Sequence, residues 1–145
     1  MAISLYDVSV TSFLRTLGAV SGILDRGLAH CQDNNIDPAE LVDNRLFPDM
    51  LPLHFQIVSV SHHTLGAIKS VMAGVSGPPE QVGPLDYAGL QKLVADSISG
   101  LKALSPDEIN GLEGRDVTFQ MRSLQIPFTA ENYLMSFALP NLHFH

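Results

Sequence analysis

Cysteine is nearly absent from this sequence: Cys31 is the one cysteine in 145 residues. A single cysteine cannot close an intramolecular disulfide, and it cannot supply a zinc site built from several thiolates. A reducing, intracellular environment suits such a chain. Because Cys31 falls on an apolar helical stripe, we interpret it as a small buried hydrophobic residue rather than a nucleophile.

Basic residues are also scarce. Eight Lys and Arg stand against 15 Asp and Glu, giving a formal net charge of -7. Without a basic cluster, the sequence argues against nucleic acid and anionic membrane surfaces as partners. No apolar run approaches the roughly 20 residues that a membrane span requires. The N-terminus has no basic region and carries Asp7, so it does not resemble a signal peptide, and we expect a cytoplasmic protein.

Two catalytic signatures are missing as well. There is no G-x-S-x-G motif and no glycine-rich loop after a strand, so neither a serine nucleophile nor a phosphate-binding loop is indicated. What the chain does have is apolar content, 46% hydrophobic against 16% charged residues. Its length suits one domain, residues 1–145, and the apolar excess predicts a well-filled core, a ligand cavity or a subunit interface.

Apolar residues recur at helical spacing over most of the chain. We predict long helices over Ser4–Gln32, Pro52–Ala73 and Leu85–Leu104, and a fourth that begins near Ala130. The first is indicated by a stripe at intervals of three and four: Tyr6, Val10, Phe13, Leu17, Val20, Leu24, Leu28 and Cys31. Shorter helical pieces are expected at 38–46 and 106–112, each opened by a proline.

The period changes between Arg115 and Phe128. Apolar residues there alternate with mostly polar ones, which is typical of two short strands joined at Arg122 and Ser123. We predict a β-hairpin without further strands, which must therefore pack on the helices.

Three histidines fall on the second helix. At about 100° per residue, His54 points inward, whereas His62 and His63 lie beyond opposite edges of the apolar face. No two of them have the spacing of three or four that a helical metal clamp needs. We therefore interpret His62 and His63 as solvent-facing.

The terminal helix has the most unusual residues. Pro140 should kink it and free a carbonyl near Ser136. Asn141 and His145 are four apart and share one face, while His143 points elsewhere. Three interpretations stay open for the pair: a buried hydrogen-bonded pair that satisfies the freed carbonyl, a polar pocket for a small organic ligand, or a metal site with a histidine of the second helix.

Several segments together resemble a known family. They are Ser4-Leu5-Tyr6-Asp7-Val8, Asp49-Met50 with Pro52-Leu53, Glu131-Asn132-Tyr133-Leu134, Phe137-Ala138-Leu139-Pro140-Asn141 and Phe144-His145. The family shares domain of unknown function 1993, occurs in bacteria and fungi, and is similar to the DinB-like helical bundles, which include proposed metalloenzymes. The resemblance implies an all-α fold: a four-helix bundle in up-down-down-up order, with the hairpin between helices 3 and 4.

The resemblance also implies a homodimer and a divalent metal, zinc or nickel, held by one histidine of helix 2 and an H-x-x-x-H pair of helix 4. This chain has Asn141 at the first position of that pair, and asparagine is a poor ligand for zinc or nickel. The metal candidates are therefore His145 with His54, or with His62 or His63. The family also continues for two or three turns beyond the Phe-His pair, and without them we expect a partly open core, at roughly 1.5–3 kcal/mol per exposed core side chain.

Three hypotheses follow for function. The first is an uncharacterised helical-bundle protein that binds a metal or a small ligand in its core. The second is a cofactor-free enzyme with an apolar pocket, in which His145 is the base and Asn141 an orienting or oxyanion-stabilising group. The third is a structural dimerisation module. Whether the protein is an enzyme at all is left open by the sequence.

Overall fold

The computed structural model describes residues 2–145, which form a mostly helical structure with one small sheet. The first helix, α1, begins with a π-helical turn, Asp7–Thr11, and continues as an α-helix over Ser12–Asn34. It ends at Asn35, whose positive φ of 55° stops helical hydrogen bonding. The periodicity of the apolar stripe thus predicted this helix well, to within a few residues at each end.

The next two helices are α2, Pro38–Val42, and the long helix α3. Helix α3 has three parts: an α-helix Leu53–Ser61, a π-helical turn His62–Gly66, and an α-helix Ala67–Ala73. A π-helical turn holds more residues than an α-helical one, so it rotates the side chains within it away from their expected directions. This rotation matters for the histidines below.

Helix α4 spans Tyr87–Lys102, and the short helix α5 spans Pro106–Asn110. The terminal helix, α6, again contains a π-helical segment: Ala130–Asn132 is α-helical, Tyr133–Ala138 is π-helical, and Leu139–Phe144 is α-helical. The π-helical segment lies directly before Pro140, where α-helical bonding must be interrupted in any case.

The sheet has three strands: β1, Val75–Ser76; β2, Asp116–Met121; and β3, Leu124–Thr129. Strands β2 and β3 are antiparallel and are joined at Arg122 and Ser123. Strand β1, which follows α3 directly, pairs with β2 in parallel. The mostly helical fold agrees with the expectation, but the hairpin is not alone, because the segment after α3 supplies a third strand.

The core lies between the long helices and one side of the sheet. Helix α1 packs on α4, α4 packs on α3, and α6 packs on α3 and on the first turn of α1. The fully buried hydrophobic residues of α1 belong to its predicted stripe: Val10, Phe13, Leu17, Leu24 and Cys31. None of the helices in residues 2–145 has the length and apolar character to cross a bilayer.

Candidate functional site

Three imidazole rings meet where the π-helical turn of α3 faces the end of α6. The His62 and His63 rings have their centroids 4.9 Å apart, and the His63 and His145 rings lie 5.8 Å apart with nearly parallel planes, 7° from each other. Phe137 packs edge-on against His63, with ring centroids 6.2 Å apart. The structure thus brings together three of the four histidines proposed from the sequence.

His63 is the innermost of the three, with 5% of its surface exposed. Burial, together with the neighbouring His62 and His145, lowers its pKa to about 4. Its Nδ1 is buried without a hydrogen-bond partner within residues 2–145. The prediction that His63 faces solvent is wrong, and His62 is half-buried; both lie in the π-helical turn, where a rotation of 100° per residue does not apply.

His145 is half-buried and oriented by Gln56. The side-chain nitrogen of Gln56 donates to the carbonyl of Leu51 at 3.0 Å, which turns the amide oxygen towards Nδ1 of His145, 2.8 Å away. Because an amide oxygen only accepts, Nδ1 must carry the hydrogen. Burial lowers the pKa of His145, so the uncharged ring keeps Nε2 as its acceptor and base.

His145 and Gln56 also border an apolar cavity of about 470 Å³. Helices α1, α2, α3 and α6 and the segment between α2 and α3 form its walls. No Lys, Arg, Asp or Glu is among the side chains that line it. Those side chains are Thr16, Ala19, Val20, Ile23, Leu41, Asn44, Leu46, Met50, Leu51, Leu53, Gln56, Ile57, Val60, Leu142, His143 and His145.

A second cavity, of about 590 Å³, shares no lining residue with the first. It lies between α3, α4 and the segment after β1, and His62 is on its wall. Two of its lining side chains already bond to protein: His62 Nε2 donates to the carbonyl of Gly77 at 3.0 Å, and the hydroxyl of Ser76 lies 2.6 Å from that of Tyr133. They are therefore explained by the fold without a ligand.

The other proposed residues have local roles. His54 is outside the histidine cluster and outside the apolar cavity, and its Nε2 lies 3.3 Å from the carbonyl oxygen of Gly83. Asn141 donates from its side-chain nitrogen to the carbonyl of Phe137 at 2.7 Å. The pair of Asn141 and His145 considered from the sequence is not formed, because His145 bonds to Gln56 and Asn141 bonds to the carbonyl of Phe137 and not to that of Ser136.

Gln56 and Phe137 are functional candidates that sequence reasoning missed. Gln56 is seven residues, or two helical turns, before His63 and therefore lies on the same face of α3. Its position beside the cluster can be predicted once His63 is known to be buried. Phe137 belongs to a segment that carries the family resemblance, but nothing in the sequence indicated that it would pack on an imidazole.

The donor set does not fit the divalent metal expected from the sequence. Within residues 2–145 there is no group of three His, Cys, Asp or Glu side chains placed to hold one ion. Zinc sites in proteins use four protein ligands when structural and three when catalytic. His63 and His145 supply two, and the side-chain nitrogen of Asn141 is a hydrogen-bond donor, not a ligand.

The fold has a counterpart among solved structures. It is similar to the crystal structure of a DinB family member protein from Shewanella denitrificans, with a TM-score of 0.74 and 20% sequence identity over 97% of this chain and 79% of that chain. At this identity the likeness shows the fold alone. A comparison with curated proteins finds no match.

The same sequence was compared with models of protein families. The model of a domain of unknown function, DUF1993, matches residues 5–145, which is nearly the whole chain and includes every residue of the histidine cluster and of the apolar cavity. The chain therefore belongs to the DUF1993 family and has a DinB-like fold.

Proposed function

We propose that this chain binds a small, mostly apolar molecule with one uncharged hydrogen-bonding group in the cavity beside His145. The observation that carries the proposal is an apolar cavity of about 470 Å³ that is bordered by the hydrogen-bonded pair Gln56 and His145. Small-molecule sites combine these two features, an apolar wall for affinity and a few fixed polar groups for orientation.

The electrostatics of the cavity favour an uncharged ligand. No lining residue is Lys, Arg, Asp or Glu, and burial lowers the pKa of His145. A carboxylate or an ammonium group would therefore lose its hydration without meeting an opposite charge. An alcohol can donate to Nε2 of His145, the nitrogen that Gln56 leaves as an acceptor.

An alcohol series tests the proposal directly. Hexanol, heptanol and octanol, titrated by ligand-observed NMR at pH 7.5, should bind with affinities that rise about fourfold per added CH₂, since each buried CH₂ contributes about 0.8 kcal/mol. Octanoate and octylamine should bind more weakly than octanol. If octanoate binds as well as octanol, the proposed preference for an uncharged group is wrong.

A matched pair of variants locates the site. Ala19 is an exposed residue of α1 that lines the cavity, and Ala95 is an exposed residue of α4 that does not. Ala19→Phe should abolish octanol binding by filling the cavity, while Ala95→Phe should leave it unchanged. Equal octanol affinities in the two variants would place binding elsewhere and overturn the proposal.

A second candidate function is acid–base catalysis by His145 without a cofactor. It is favoured by one observation: the bond to Gln56 fixes the tautomer of the His145 imidazole. Because burial also lowers the pKa of His145, its Nε2 is an unprotonated base at neutral pH. A histidine C–H titration by NMR should give His145 a pKa below 6.5. A value at or above 6.5 would remove this candidate. Asn141 as an orienting group stays a prediction.

The assembly proposed from the sequence is a homodimer in the cytoplasm, with the four long helices in up-down-down-up order. Exposed apolar side chains support self-association: Leu46 is 90% exposed, Phe47 63% and Ile23 65%. Sedimentation equilibrium at micromolar concentration should detect the dimer. A monomer over that range would contradict the dimerisation module and leave ligand binding unaffected.

A further inference from the structure

We infer that Asn141 is the residue that keeps this histidine cluster free of divalent metal. The inference concerns the cluster of His62, His63 and His145 alone and does not depend on the proposed ligand. The family resemblance implies a divalent metal, whereas the fold brings together no group of three ligating side chains within residues 2–145.

The position of Asn141 follows from its bonds along α6. Its side-chain nitrogen donates to the carbonyl of Phe137 at 2.7 Å, and its own carbonyl accepts from the backbone N–H of His145 at 3.1 Å, one α-helical turn later. The rings of Phe137 and His145 both pack on His63, at centroid distances of 6.2 and 5.8 Å. Asn141 lies between them along the helix, so its side chain is on the face of α6 that meets His63.

The chemistry of Asn141 explains why no metal set forms there. Its side-chain nitrogen is engaged with the carbonyl of Phe137 at 2.7 Å. Its remaining oxygen is a carbonyl oxygen, a ligand that suits calcium or magnesium better than zinc or nickel. The nearest other nitrogen donor, His62, gives its Nε2 to the carbonyl of Gly77. Two imidazoles, of His63 and His145, remain.

A single substitution should complete the set. Asn141→His would place a third imidazole opposite His63, at the i, i+4 spacing to His145 that two ligands on one helix require. Asn141→Asp is a nearly isosteric second variant, and it would make a set of two histidines and one carboxylate, which binds zinc and iron in proteins. It also guards against misfolding of the bulkier substitution.

The experiment is a calorimetric titration of zinc and of nickel into metal-free protein at pH 7.5, with circular dichroism to verify folding. We expect wild type to show no one-to-one binding tighter than about 100 μM, and N141H to bind at least about 100-fold more tightly. Adding His63→Phe to N141H should abolish that gain. The thermal midpoint of N141H, but not of wild type, should rise with added nickel.

Two results would overturn the inference. One is stoichiometric zinc or nickel binding by wild type at micromolar affinity that His63→Phe removes, because the two imidazoles would then suffice. The other is a folded N141H and a folded N141D that bind neither metal more tightly than wild type, because Asn141 would then not be the limiting residue.

Discussion

The uncharged imidazole of His63 is buried, and its burial lowers the free energy of unfolding. Its Nδ1 has no hydrogen-bond partner within the described part of the chain, and a buried unsatisfied polar atom costs about 1–3 kcal/mol. Its pKa is lowered to about 4 in the folded protein, first by burial and then by His62 and His145. In the unfolded chain the pKa returns to its ordinary value of about 6.5.

This difference predicts a pH dependence of stability. Between pH 6.5 and 4 the unfolded state binds a proton at His63 that the folded state does not, so the free energy of unfolding falls as the pH falls. A shift of this size corresponds to at most roughly 3 kcal/mol. Urea denaturation at pH 7, 6, 5 and 4.5 measures the slope, and His63→Phe should flatten it.

The slope, rather than absolute stability, isolates the imidazole, because a change in packing alters stability equally at every pH. His30→Phe, a substitution of an exposed histidine on α1, is the matched control and should keep the wild-type slope. If His63→Phe retains that slope, His63 does not have the lowered pKa, and other groups, among them His62 and His145, must account for the acid sensitivity.

At the residue scale, the sequence predicted identities better than environments. It named His54, His62, His63, His145 and Asn141 as candidates. The rings of His62, His63 and His145 share one cluster, while His54 lies outside it. The burial of His63 was misjudged because a rotation of 100° per residue was applied through a π-helical turn. The sequence carries no simple signal for such a turn.

The contact between α1 and α4 depends on a glycine. A Cβ added to Gly27 would collide with the hydroxyl of Tyr87, which is buried and donates to the carbonyl of Leu24 at 2.7 Å. Gly27→Ala should therefore lower the free energy of unfolding by about 1–2 kcal/mol, since a lost hydrogen bond and overpacking exceed the gain in helix propensity.

Gly18 provides the control within the same helix. A Cβ there would meet nothing within 4 Å, so Gly18→Ala should gain up to about 1 kcal/mol from helix propensity alone. Both variants are compared with wild type by urea denaturation. A stabilising Gly27→Ala would show that α1 and α4 can separate slightly without loss of the Tyr87 bond.

The turn of the hairpin holds an unfavourable residue. Arg122 has a φ of 56°, in the left-handed region where a non-glycine residue costs about 1 kcal/mol. Arg122→Gly should therefore be more stable than Arg122→Ala by about that amount. Thermal unfolding of the two variants gives the difference, and equal midpoints would mean that the turn relaxes to a negative φ.

At the scale of elements, periodicity predicted all four long helices and strands β2 and β3, because each of them has enough residues to show a spacing. Strand β1 could not be found in this way. Val75 and Ser76 are too short for a pattern, and their pairing with Thr118 and Phe119 joins segments more than 40 residues apart. Only the three-dimensional packing of α3 against the hairpin determines it.

At the scale of the whole molecule, the family resemblance predicted more of the fold than the composition did. Apolar excess left a filled core, a cavity or an interface open, and the structure has both a closed core and an apolar cavity beside the last helix. The DinB-like fold, by contrast, was implied by the resemblance alone.

Net charge sets the response of the whole molecule to salt. The chain has a formal charge of -7, while among residues 2–145 the ion pair found is Lys92 with Asp96, both well exposed. Exposed pairs of this kind contribute little, whereas self-repulsion of a net charge destabilises the compact state. Raising NaCl from about 20 to about 300 mM at pH 7.5 should therefore increase the free energy of unfolding, by up to about 1 kcal/mol.

The pH dependence of this salt effect identifies its cause. Near the isoelectric point of about 5.1 the net charge vanishes, so the same change in salt should have little effect. Lys92→Ala should leave the salt dependence at pH 7.5 almost unchanged, because an exposed i, i+4 pair contributes only about 0.3–0.5 kcal/mol. A fall in stability with added salt at pH 7.5 would mean instead that attraction between opposite charges outweighs repulsion among the acidic residues. The acidic residues would then have to lie close to the few basic ones.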